Sequence, residues 1–217
     1  MRTTAKAVCP FCGNTSDIPV YSGINVAEEP ELKPKVKDGS LFLWECPHCG
    51  KTNLAAGQTI YHDPEERVMI WLLPPGSVPE EKVKVVGASL VEASETLEGY
   101  IFRRVEDVGS LIEKVNIIDA GLDDMAVEMC KYVTKMELAG KDGGKSVMDA
   151  PFKFFRIDGP DNELTFTYPS GGAMQGVQVG FNVYEDCAGI LGRNPQIREA
   201  AKGLVSIDQA WLSKYFQ

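Results

Sequence analysis

Along the N-terminal third of the chain, apolar and polar residues alternate at the short period of strands. The stretch from Thr15 to Ile24 alternates unevenly, and Ser40-Leu41-Phe42-Leu43-Trp44 is a short apolar run; both read as strands. Thr52 to His62 and Arg67 to Leu73 read as two more, separated by Asp63-Pro64-Glu65-Glu66, whose Asp-Pro start favours a turn. Pro30 and Pro34 lack the amide that a ladder needs, which confines their neighbours to loop or edge positions. The cluster Lys33-Pro34-Lys35-Val36-Lys37 is therefore expected as a solvated loop or a lysine-protected edge. Pro74-Pro75-Gly76 ends the sheet, and the boundary between an N-terminal module, 1–75, and a second domain, 76–217, is placed there.

After that break the period changes. Val78 to Thr96 supports two readings: Ser77, Pro79, Glu80 and Glu81 make a helix start, whereas Lys82-Val83-Lys84-Val85 alternates like a strand. Tyr100 to Val105 reads as a strand. Val108, Leu111, Ile112, Val115 and Ile118 then repeat at helical spacing, and a second stripe follows at Leu122, Met125, Ala126, Met129, Val133 and Met136. Cys130 falls on that stripe and is expected in the core. Ala139 to Lys145 reads as a flexible loop. Phe152 to Ile157, Leu164 to Tyr168 and Val177 to Tyr184 alternate as an antiparallel meander, with turns at Asp158–Asn162 and Ser170-Gly171-Gly172. Ser206 and Gln209 suggest a capping box before a terminal helix with Ile207, Trp211, Leu212 and Tyr215 on one face. The expected class is α+β: a four-cysteine ribbon with an extended antiparallel sheet, then helices and a meander.

Two pentapeptides carry the chemistry. Cys9-Pro10-Phe11-Cys12-Gly13 and Cys46-Pro47-His48-Cys49-Gly50 repeat one pattern, with 33 residues between Cys12 and Cys46. Two intervening residues let both thiolates of a pair reach one ion, and two such pairs complete a tetrahedron. Cys9, Cys12, Cys46 and Cys49 are thus the expected metal ligands. A glycine after each second cysteine suits a turn at positive φ, with amides free to point at the sulfurs. Four thiolates suit zinc or a single iron. They also close the coordination sphere, so the metal is expected to be structural rather than catalytic.

Other candidates have ordinary explanations. His48 as a fifth ligand conflicts with its place in the knuckle, and His62 beside Asp63 is either an oriented base or a surface residue at a strand end. Cys187 follows Glu185 and Asp186, which disfavour a thiolate. Asp119, Asp123, Asp124 and Glu128 stand where acids suit a helix dipole. Core packing accounts for the methionines. No set of acid, base and nucleophile marks an enzyme.

Composition excludes several classes. Hydrophobic residues at 44% and charged residues at 24% belong to a globular chain. The longest apolar run, Val68 to Leu73, has the length of a buried strand and falls far short of a membrane span. The opening Met1-Arg2-Thr3-Thr4-Ala5-Lys6 lacks the apolar core of a signal peptide, and a reducing, cytoplasmic setting is expected. A net charge of −9 makes nucleic acid a poor partner, because affinity for a polyanion comes mainly from basic groups.

The knuckles are similar to those of rubredoxin, an iron electron carrier, but the likeness stops at the ligands and their glycines. Ala7-Val8 precedes Cys9, and the aromatic residues that rubredoxins place nearby are mostly absent, which favours zinc. The doubled Cys-Pro-x-Cys, together with Tyr61, Asp63 and the Val68–Pro74 segment, resembles the bacterial and archaeal CpXC family across residues 9 to 75. That resemblance implies metal ligation by the four cysteines, with Pro10 and Pro47 matching the motif's proline, and it implies no activity. The leading expectation is a zinc-stabilised binding or scaffold protein with a protein or small-ligand partner; electron transfer through iron and an enzyme with a C-terminal site are the alternatives.

Overall fold

The computed structural model describes residues 1–55, 57–94, 97–142 and 145–216. It is an α+β chain of two compact units, Met1–Ile112 with Lys202–Val205, and Glu113–Ala201 with Ser206–Gln217. The division falls beyond the Pro74-Pro75-Gly76 break.

In the first unit, β1 (Arg2–Val8) and β2 (Thr15–Tyr21) form an antiparallel hairpin that closes with Val8 opposite Thr15. The first cysteine pair is therefore the hairpin loop. β3 (Gly23–Asn25) is followed by α1 (Leu32–Lys37), which replaces the loop or edge strand expected for the lysine cluster. Pro34 is tolerated because it stands in the first turn, where amides have no helical acceptor. Leu32 and Val36, one turn apart, are buried beneath it.

Ser40–Phe42 is a single 3-10 turn, so only Leu43–Glu45 of the expected apolar strand is extended, as β4. β5 (Thr52–Leu54) pairs antiparallel with β4, with Glu45 opposite Thr52, and the second cysteine pair is again a hairpin loop. The expected strand from Thr52 to His62 is thus two strands in two sheets. Its second half, β6 (Thr59–Asp63), forms a hairpin with β7 (Val68–Leu72). Asp63 Oδ1 accepts the Glu66 N–H at 3.3 Å, the side-chain turn implied by Asp-Pro.

The Lys82–Val85 alternation gives way to a helix, α2 (Glu80–Ser94), led by Pro79 and two acids; Thr96 lies outside the described residues. β8 (Ile101–Val105) lies parallel to β7, β3 lies parallel to β6, and the sheet order is β3-β6-β7-β8.

α3 (Val108–Asp119) carries the chain across the division, and α4 (Asp124–Asp142) follows. α4 extends through Ala139–Asp142, where a loop was expected; Gly143 and Gly144 lie outside the described residues. The apolar stripe of α4 is only half buried. Met125, Ala126, Met129 and Cys130 are inside, but Val133 and Met136 are about half exposed, while Lys131, Thr134 and Lys135 are buried in their place. A second face of the helix, carrying charge, is therefore buried alongside the apolar one.

α5 (Lys145–Asp149) leads to the meander of β9 (Lys153–Asp158), β10 (Glu163–Ser170) and β11 (Ala173–Val179), in the order β11-β10-β9. Ser170 pairs with Ala173 across Gly171 and Gly172, whose φ values of 60° and 80° make a two-residue hairpin turn rather than an anion cradle. The third strand stops at Val179. Tyr184, expected on it, lies with Cys187 on α6 (Phe181–Gly192), where Cys187 and Leu191 are buried at helical spacing. α7 (Pro195–Ala200) opens with proline in its first turn and was not foreseen. The terminal helix shortens to α8 (Gln209–Leu212), and Asp208 rather than Ser206 caps it, accepting the Trp211 N–H at 2.7 Å.

Candidate metal centre

The two hairpin loops have the same internal geometry. Gly13 N donates to Cys9 O at 2.9 Å and Gly50 N to Cys46 O at 2.8 Å, while Cys9 N donates to Asn14 O and Cys46 N to Lys51 O at 2.9 and 3.0 Å. Each turn closes only with its glycine at positive φ, 71° at Gly13 and 66° at Gly50. Both first cysteines, Cys9 and Cys46, are buried with Ile18 and Trp44 in one small cluster, and both second cysteines, Cys12 and Cys49, are exposed.

The four Sγ atoms lie within 4.8 Å of one another. Sulfurs from opposite loops approach one another, Cys9 to Cys49 and Cys12 to Cys46, each at 3.7 Å. An ion bonded to sulfur at about 2.3 Å in a tetrahedron separates its ligands by about 3.8 Å. The spacing is therefore that of ligands to one ion, and all six cysteines of the chain are free thiols.

Amides answer the charge that such ligands would carry. Burial opposes ionisation of Cys9, but the N–H groups of Phe11 and Cys12 and the neighbouring thiols bring its pKa down to about 6. Cys12 is lowered mainly by the Asn14 N–H and the Asn14 side chain, whose Nδ2 lies 3.5 Å from its sulfur. Cys49 receives the Lys51 N–H and is still pushed up to about 12 by burial and its three sulfur neighbours. Cys9 therefore ionises before Cys49, the charge of one close thiolate opposing the next. Asn53 adds a buried contact that sequence reasoning missed: its Nδ2 donates to Lys51 O at 2.8 Å and reaches Cys9 Sγ at 3.8 Å.

A family model described as CpXC protein matches residues 7–131, more than half of the chain. The chain belongs to the CpXC family. The match includes both cysteine loops and extends past the Val68–Pro74 segment into α4. No curated protein and no solved structure matches the chain.

The remaining candidates are dispersed. His48 is exposed and outside the sulfur cluster. His62 Nε2 lies 3.0 Å from Tyr100 Oη on the partly exposed face of β6, whereas Asp63 is buried and bonded by Lys33 Nζ at 3.0 Å. Successive strand residues face opposite sides, so Asp63 does not orient His62 as a base. Asp123 caps α4, accepting the Met125 N–H at 2.9 Å, and takes Arg198 Nη1 at 2.8 Å; Asp124 pairs with Lys114 at 2.9 Å. Each of these acids has its own cation, and among the described residues the four cysteines form the one cluster spaced for a metal ion. Cys130 and Cys187 are buried neighbours on α4 and α6. No helix among the described residues is long and apolar enough to cross a membrane.

Proposed function

We propose that the chain is a zinc-stabilised binding or scaffold protein whose metal holds the two cysteine loops together and does no chemistry. The observation that carries this reading is the count of ligands: four thiols from two hairpin loops stand at tetrahedral spacing. That number fills a zinc ion's sphere and leaves no position for water or substrate. His48 is exposed and outside the sulfur cluster, and His62 is engaged by Tyr100. Exposed Phe11 and the cross-strand pair Leu43 and Leu54 place apolar side chains on the ribbon surface, which suits a protein partner. Nucleic acid does not suit a chain of net charge −9 whose Lys33 is committed to Asp63. A reducing compartment such as the cytoplasm belongs to this reading, because thiols must stay reduced to ligate an ion.

Cobalt separates a closed site from an open one. Protein loaded with Co(II) is expected to show the visible bands of tetrahedral thiolate ligation, unchanged by azide or cyanide at concentrations that leave the metal bound. Bands that shift on adding either anion would reveal an exchangeable position, and the structural assignment would fail.

A further inference from the structure

The two edges of the meander are not alike. At β9 the edge is blunted: the strand carries Lys153, Arg156 and Asp158, its register against β10 shifts between Thr165 and Phe166, and Glu113 Oε1 takes the Phe154 N–H at 2.8 Å. β11 has none of these devices. It holds no charge and no proline, pairs with β10 residue for residue from Ser170–Ala173 to Leu164–Val179, and is exposed over most of its length, Met174 by 64%. β1, β2 and β8, the remaining edge strands longer than three residues, all carry charge. Among the described residues no strand pairs with the outer side of β11. The two-residue turn makes Ser170 and Ala173 a hydrogen-bonded pair, and alternation then turns the backbone of Ala173, Gln175, Val177 and Val179 toward β10 and that of Met174, Gly176 and Gln178 outward. Pro169, opposite Met174 and without an amide to give, fits that phase.

We propose that β11 pairs antiparallel with β11 of a second copy of this chain, about a twofold axis at Gly176, joining two meanders into one sheet. A second copy fits this edge better than a strand of another protein on three counts. In that register outward residues meet only outward residues: Gly176 meets Gly176 of the partner subunit and Met174 meets Gln178 of the partner subunit, so every open amide and carbonyl is answered. β11 offers no charge by which a foreign strand would be selected, and it adds none to a seam between chains of net charge −9. Glycine weakens a strand interior, and nothing within the chain asks for it here, since a Cβ at Gly176 would lie 4.0 Å from Phe166 O, its nearest neighbour. On the axis, two glycines leave the backbones clear to approach. The pairing does not involve the metal, because the meander belongs to the second unit.

Sedimentation equilibrium of the full chain tests the pairing, and at high micromolar concentration the expected mass is twice that of one chain. Met174→Lys with Gln178→Lys sets like charges opposite each other across the seam and should raise the dissociation constant by roughly tenfold or more. Met174→Lys with Gln178→Glu sets opposite charges there and should dimerise at least as tightly as the unaltered chain. Both positions are exposed, and on one extended strand they lie too far apart to pair with each other. A single-chain mass at that concentration overturns the proposal and leaves the edge to a strand of another protein. A dimer indifferent to the paired lysines overturns it too, since it must form elsewhere, and one weakened equally by both double variants is not built in this register and counts against it in the same way. If the double-lysine chain does not fold, residue-resolved amide exchange of the unaltered protein decides: Gly176 and Gln178 should lose protection on dilution while Val177 and Val179 keep theirs, and protection unchanged by dilution contradicts the pairing.

Discussion

Serine in place of Cys9 is expected to unfold the ribbon. The loops between β1 and β2 and between β4 and β5 close two-stranded hairpins, which are marginal in water by themselves. The apolar cluster behind them consists of Cys9, Ile18, Trp44 and Cys46, with Ala7, Val20 and Ala55 packed at its edge. So small a core does not hold two hairpins against chain entropy, whereas a four-thiolate zinc site contributes on the order of 10 to 16 kcal/mol of apparent binding energy. Removing a buried ligand takes most of that away. Hydrogen exchange of residues 1–55 should rise to near-unfolded rates in Cys9→Ser, with metal content lost in parallel, while the second unit keeps its protection. A variant that retained both metal and protection would show that the cysteines are not what binds the hairpins together.

The second large effect lies in the other unit. Glu113→Gln should destabilise the fold by about 3–5 kcal/mol, because it leaves the buried Lys131 and the half-buried Lys153 facing a neutral amide. Chemical denaturation with the metal kept bound would read this directly, and a loss under 1 kcal/mol would mean that the network relaxes without it. Lys131→Met is the informative companion, since it takes the cation from Glu128 and leaves Glu113 with Lys153 and the Phe154 N–H. Acid gives a third readout. Burial opposes ionisation of Glu113, but Lys131, Lys153, Lys114 and the Phe154 N–H outweigh it and hold its carboxyl below its ordinary pKa of 4.5. A depressed carboxyl contributes stability that is complete above the ordinary carboxylate range and disappears as pH falls through the lower folded value. The acid limb of the stability profile should therefore flatten in Glu113→Gln.

The parts of this molecule that were legible in its sequence are those governed by neighbouring residues. Spacing within each Cys-Pro-x-Cys-Gly unit dictates the loop, and the structure reproduces it twice down to the glycine φ values. The Asp63-Pro64 turn, the Gly171-Gly172 hairpin and the stripe of α3 are equally local. What failed depends on distant partners. Phe181 to Tyr184 alternates like a strand, but the burial of Cys187 and Leu191 commits the segment to a helix after Gly180. Pro34 read as a breaker because nothing in sequence told that it would occupy a first turn. α4 was read as one apolar stripe ending at Met136; its charged face is buried because Glu113 and Lys153, far away in sequence, supply ion pairs there. Buried ion pairs have no periodic signature, so no spacing marked Lys131 as a buried residue. The contact of Asn53 with Cys9 escaped for the same reason, since a side chain supporting a ligand from another hairpin leaves no spacing to find.

The central claim is that these four thiols hold one structural zinc ion, and elemental analysis of the purified full chain tests it most directly. The account predicts one equivalent of zinc per chain, a colourless protein, and loss of that metal in both Cys9→Ser and Cys49→Ser. One equivalent of iron, with visible absorption that bleaches on reduction, would contradict it and make the centre an electron carrier.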